Sequence, residues 1–118
     1  MGVNVNFDIA TVVSDIKMAV SGILGKDVST WRGFAEEQVT ALAKQAKLIA
    51  TGYASGELTD DDTDFFLDGL EAMAENFAQT LRGLVLITIE KVWNAAVGVL
   101  HDAIRTALGP IGKAIPGL

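Results

Sequence analysis

The chain contains no cysteine and a single histidine, His101. Without cysteine there is no disulfide frame, no thiolate metal site and no cysteine nucleophile. One imidazole cannot complete a zinc site without further ligands, and its neighbour Asp102 points elsewhere on a helix, so no catalytic triad is indicated. These absences favour a protein with no enzymatic role and no cofactor.

Basic residues are also scarce. Nine lysines and arginines stand against 15 acidic residues, which gives a formal net charge of -6. Nucleic-acid affinity depends largely on lysine and arginine contacts to phosphates, and the basic residues here are scattered along the chain. We therefore expect no nucleic-acid partner. The first eight residues lack the basic start and the small-residue cleavage site of a signal peptide, and the location stays open, with a virion as one alternative.

Hydrophobic residues are abundant by contrast. They make up 50% of the 118 residues, and the mean hydropathy is +0.37. A chain of this length is expected to form one domain, 1–118, and a domain this small buries only about two-thirds of its unfolded surface. The surplus apolar surface is therefore expected to contact other subunits or a membrane.

The spacing of apolar residues predicts an all-α fold. Alternation over residues 1–8 suits an extended arm. Apolar residues spaced by three and four then predict a first helix over 9–24, capped by Asn6 or Asp8. A second amphipathic helix is predicted over 29–54, with acidic residues early and lysines late, as the helix dipole favours.

The longest predicted element is one helix over 59–108, with Gly83 as the natural place for a kink. Thr59 followed by three aspartates is a helix-start signal, and both prolines of the chain lie beyond the predicted helix. At ~1.5 Å per residue this helix is roughly 75 Å long. A buried strand over 83–89 is the alternative, because β-branched residues suit either structure. In the predicted fold, two shorter helices pack on the long one, and residues 109–118 form an extended apolar tail.

Five acidic residues near the start of this helix have part of the spacing of an EF-hand calcium loop. They occupy loop positions 1, 3, 5, 9 and 12, and the set is Asp60, Asp62, Asp64, Asp68 and Glu71. Position 6 requires glycine for a sharp turn, and here it is Phe65. The favoured interpretation is an acidic first helical turn capped by Thr59 and stabilised by the helix dipole, with no metal.

The stretch 81–100 has the length of a membrane span, about 20 residues. It contains Arg82, Glu90 and Lys91, and charges at mid-bilayer are strongly unfavourable. A buried helix–helix contact therefore explains the stretch better than a span. Membrane contact is kept as the alternative function, that of a membrane-active or lipid-coating protein whose amphipathic helix lies on the lipid surface.

The main functional hypothesis is a non-enzymatic structural subunit of a large homo- or hetero-oligomeric assembly. Its expected partners are other copies of itself or other assembly subunits. The run 83–89 leaves no polar face, so another copy is expected to cover it, and a charge at Ile87 is expected to abolish both folding and association. The tail is expected to contact a neighbouring copy. The predicted interface consists of Trp31, Leu84, Leu86, Ile87, Ile89, Trp93, Ile111, Ile115 and Leu118.

A small, acidic, cysteine-free helical chain with apolar ends resembles the small structural proteins of phages and viruses. The resemblance is one of general character and has no motif behind it. It implies a place in a virion, a phage particle or a filament-like assembly.

Overall fold

The computed structural model describes residues 5–25, 34–81, 86–116 and 118. In these ranges the chain forms four packed α-helices and no strand, which confirms the all-α fold class. A short 3-10 helix follows the last of them. The helices are α1 (Ile9–Leu24), α2 (Phe34–Ser55), α3 (Asp60–Thr80) and α4 (Leu86–Leu108), and the 3-10 helix is Gly109–Ile111.

Helix α1 has the bounds that the apolar spacing predicts, and its two caps explain them. The Asp8 carboxylate accepts hydrogen bonds from the backbone N–H groups of Ala10 at 3.0 Å and Thr11 at 3.4 Å. These two N–H groups have no partner inside the helix, so the cap stabilises its first turn. At the other end, Gly25 adopts the left-handed conformation with φ 66° and donates its N–H to the Ser21 carbonyl at 2.8 Å.

The predicted single helix over 59–108 is wrong, because the chain folds back between α3 and α4. Leu81 leaves α3 in an extended conformation, with φ -75° and ψ 118°. The longest dimension of the molecule is 44 Å, well short of the ~75 Å that a continuous helix requires. The Trp93 indole N–H donates to the Glu71 carbonyl at 2.9 Å, which joins the two helices side by side. The predicted kink at Gly83 lies outside the described residues.

Contacts at the two ends of the bundle show that α2 and α3 run in opposite directions. At one end, the Tyr53 hydroxyl near the C-terminus of α2 lies 3.0 Å from an Asp60 carboxylate oxygen at the start of α3. At the other end, the Thr80 hydroxyl at the end of α3 donates to the Gln38 side chain at 2.8 Å. Helices α2 and α4 each pack against the three other helices, so they lie on the shorter diagonal of the bundle.

Small residues bring the helices of the core close together. Ala43, Ala46 and Ala50 on α2 and Ala96 on α4 have no exposed surface. The distance between packed helices follows the size of the side chains at their contact, so alanine permits a close approach. Larger buried side chains fill the remaining core: Ile16, Leu42, Ile49, Leu70, Phe77, Leu100, Ile104 and Leu108.

The tail packs against its own chain. It begins with a 3-10 turn rather than the predicted extended structure, because proline is tolerated in a first helical turn. Ile115 is only 6% exposed and belongs to the core. The Tyr53 hydroxyl lies 3.0 Å from the Ala114 carbonyl as well as 3.0 Å from Asp60, so its one proton is shared between two acceptors. The Lys113 ammonium donates to the Tyr53 carbonyl at 3.4 Å, which adds a second link between the tail and α2.

Candidate interaction surfaces

The five residues with calcium-loop spacing lie on one uninterrupted helix. Alternate residues of a helix point roughly 200° apart, so Asp60, Asp62 and Asp64 do not converge on one ion. Asp62 instead completes a capping box: its N–H donates to the Thr59 hydroxyl at 3.1 Å, and its carboxylate accepts from the Thr59 N–H at 3.3 Å. In the part of the chain that the structure describes, no group of three His, Asp or Glu side chains is arranged to hold a metal ion.

His101 lies in the seam between α3 and α4. Its Nε2 atom is buried, 3.9 Å from the nearer Glu71 carboxylate oxygen, and has no hydrogen-bond partner among the described residues. Burial lowers the pKa of His101 from its ordinary value of 6.5, and Glu71 acts in the opposite direction. Arg105 adds to the lowering, and Asp102 opposes it. The imidazole is therefore neutral at pH 7, and protonating it would bring a charge into a helix–helix contact.

The predicted interface residues fall into four groups. Trp31 and Leu84 lie outside the described residues. Ile115 is buried in the core of its own chain, so in this conformation it is not available to a second copy. Four further members are half-buried against the core: Ile89, Trp93, Ile111 and Leu118.

The remaining two predicted interface residues form an exposed apolar surface at the start of α4. Leu86 is 71% exposed and Ile87 is 66% exposed, and we call this pair the α4 end patch. Leu86 lies about five turns before Ile104 at 3.6 residues per turn, so it points to the same side of the helix as that core residue. The apolar stripe of α4 thus continues into the end patch, where the chain's own helices leave it uncovered. The expectation that a charge at Ile87 abolishes folding is corrected, because the side chain is not in the core.

In the described part of the chain, four other large apolar side chains are exposed, on three different helices. They are Met18 on α1, Leu48 on α2, and Phe65 and Phe66 on α3. The two phenylalanine rings contact each other edge to face, with centroids 5.7 Å apart. None of these four residues belongs to the predicted interface. The sequence could have indicated Leu48, because it lies roughly 200° around the helix from Ala46 and Ala50. An apolar residue opposite the buried face is exposed on the outside of the bundle.

A groove of about 570 Å³ runs between α1 and α4. Half-buried Val99 and Ala103 contribute apolar surface to it, and exposed carboxylates line it from both helices. The carboxylates belong to Asp8, Asp15 and Asp102, and no lysine, arginine or histidine in the described part of the chain lines the groove. Sequence reasoning could not find this groove, because nothing in the spacing of either helix tells that α1 lies beside α4.

The function has to be inferred from these surfaces, because comparison with known proteins gives no match. Neither a family model, nor a curated protein, nor a solved structure matches the chain. Among the described helical residues, no helix has both the length and the apolar character needed to cross a membrane.

Proposed function

We propose that this protein is a non-enzymatic structural subunit that assembles with copies of itself or with other subunits through apolar helix surfaces. The supporting observation is the α4 end patch, in which Leu86 continues the core stripe of α4 and remains exposed together with the adjacent Ile87. Exposed large apolar residues that adjoin a core mark surfaces that are covered in a complex. The class of assembly proposed is a virion, a phage particle or a filament.

The size of the end patch indicates that association also needs another surface. Complete burial of a leucine or isoleucine side chain contributes roughly 1.5–3 kcal/mol. Because Leu86 and Ile87 are about two-thirds exposed, covering both adds about 2–4 kcal/mol. Association of two proteins loses roughly 4–15 kcal/mol of translational and rotational freedom. A stable assembly therefore uses the end patch together with at least one further contact.

Sedimentation velocity over a range of protein concentrations tests the proposal on the full chain. We expect the wild type to associate at micromolar concentration and the Ile87→Asp variant to associate more weakly while keeping its helical circular dichroism. Asn94→Asp is the matched control, because it adds the same charge to an exposed position of the same helix without removing apolar surface. A wild type that stays monomeric, or an Ile87→Asp variant that associates like the wild type, contradicts the proposal.

A lipid surface is the competing partner for the same patch. In that case Leu86 and Ile87 would enter the boundary of the bilayer and not a protein interface. Flotation with neutral and anionic vesicles separates the two. Vesicle binding by the wild type that is lost in Ile87→Asp, without self-association in solution, assigns the patch to lipid. Self-association without flotation supports the structural subunit.

A further inference from the structure

The groove between α1 and α4 has the charge of a binding site for a cationic side chain. Among the described residues, three carboxylates line it, from Asp8, Asp15 and Asp102, and no basic residue does. Asp102 also bonds with Arg105, but both side chains are at least half exposed, and exposed pairs of this kind contribute little. Half-buried Val99 and Ala103 of α4 add accessible apolar surface to the lining. The groove therefore suits an apolar side chain flanked by positive charges.

The outer face of α2 presents such a side chain. Leu48 is 66% exposed, on the opposite side of the helix from the buried alanines. Lys44 precedes it by one helical turn and is exposed, and Lys47 is adjacent and half-buried. Neither lysine has an ion-pair partner among the described residues. We call these three residues the α2 knob.

We propose that the α2 knob of one copy binds in the α1–α4 groove of another. Leu48 contacts the apolar surface of the groove, and the ammonium groups of Lys44 and Lys47 face the carboxylates of Asp15 and Asp102. This inference rests on the proposed function, since it names the second contact that the α4 end patch requires. The occupant is a second copy of this chain, because the chain itself carries the complementary pair of surfaces.

The two surfaces lie on different helices, which determines the kind of assembly. The knob is on the outer face of α2, whereas the groove is formed by α1 and α4. A contact between two different surfaces of the same protein is heterologous, so each copy can bind one neighbour through its knob and another through its groove. Such contacts build a ring if the rotation closes and a filament if it does not. Both outcomes suit a subunit of a large particle.

A charge exchange tests the pairing. One variant carries Lys44→Glu and Lys47→Glu, and the other carries Asp15→Lys and Asp102→Lys. In each variant alone the knob and the groove have the same sign, so association is expected to weaken roughly tenfold or more. In an equimolar mixture each knob meets a groove of opposite sign, and association is expected to return towards that of the wild type. Circular dichroism checks that both variants are folded.

The possible results distinguish the knob–groove contact from the proposed function on which it rests. The knob–groove contact alone is overturned if the Lys44→Glu, Lys47→Glu variant associates like the wild type. The same holds if the mixture associates no better than its components. A wild type that is monomeric at all concentrations overturns both the contact and the proposed function. Restored association in the mixture supports the contact, since a general loss of solubility or fold would not be repaired by mixing.

Discussion

Replacing Ile115 by alanine tests whether the tail is part of its own chain's core. The side chain is 6% exposed and packs against the bundle. Isoleucine-to-alanine changes in a core lower the free energy of unfolding by roughly 2–5 kcal/mol. Ile115 lies outside the helices, where the backbone can relax around the change, so we expect a loss at the lower end of this range, about 2–3 kcal/mol. In a domain of this length that corresponds to a fall in Tm of roughly 8–12 °C.

Thermal unfolding followed by circular dichroism in dilute solution measures this effect without a contribution from association. Ile87→Ala is the matched control, because it removes the same atoms from an exposed position and is expected to change the free energy of unfolding by less than about 0.5 kcal/mol. If Ile115→Ala melts with the wild type, the tail does not belong to the core. If Ile115→Ala associates more weakly but melts like the wild type, the tail contacts a neighbouring copy, as the sequence predicted.

Three further predictions concern the described contacts of α3 and α4. Burial lowers the pKa of His101 below 6.5, so the unfolded chain binds the proton first. The free energy of unfolding is therefore expected to fall as the pH drops below about 6.5. Urea unfolding at pH 7.5 and 5.5 should show a smaller fall in the free energy of unfolding for His101→Gln than for the wild type. Thr59→Ala removes the capping box of α3 and is expected to lower the free energy of unfolding by about 1 kcal/mol in urea unfolding; an unchanged midpoint contradicts the cap. Trp93→Phe removes the hydrogen bond to the Glu71 carbonyl and is expected to lower the free energy of unfolding by about 1–3 kcal/mol; unfolding like that of the wild type would show that this bond contributes nothing.

Local signals account for the parts of the fold that the sequence analysis predicted. The first helix has both an apolar stripe and a pair of caps, so its bounds at Ile9–Leu24 follow from residues within the helix and next to it. The same holds for the start of α3, where Thr59 and Asp62 form the capping box. In both places the deciding contacts join residues close together in the chain.

The turn after α3 depends on contacts that are distant in the chain, and it was not predicted. The residue spacing over 59–108 suits a helix, and no proline interrupts it. Folding back buries the apolar stripes of α3 and α4 against each other and against α1 and α2. This gain in packing is larger than the local preference for one uninterrupted helix, since most helical stability in proteins comes from such burial.

The difference between local and distant contacts also explains which of the interaction surfaces could be predicted. Leu86 and Ile87 were selected because their run has no polar face, and both are exposed in the single chain. Ile115 was selected for its apolar character alone, and whether an apolar tail residue packs inward or outward depends on what lies beside it. The α1–α4 groove requires knowledge of which helices are neighbours, and no pattern within one helix contains it.

Electron microscopy of the purified full-length chain at micromolar concentration tests the central claim most directly. A structural subunit with heterologous contacts is expected to form rings, tubes or filaments built from a repeating unit of about 44 × 24 × 20 Å. Separate particles of the size of one chain, at every concentration, would contradict the claim that this protein assembles with itself.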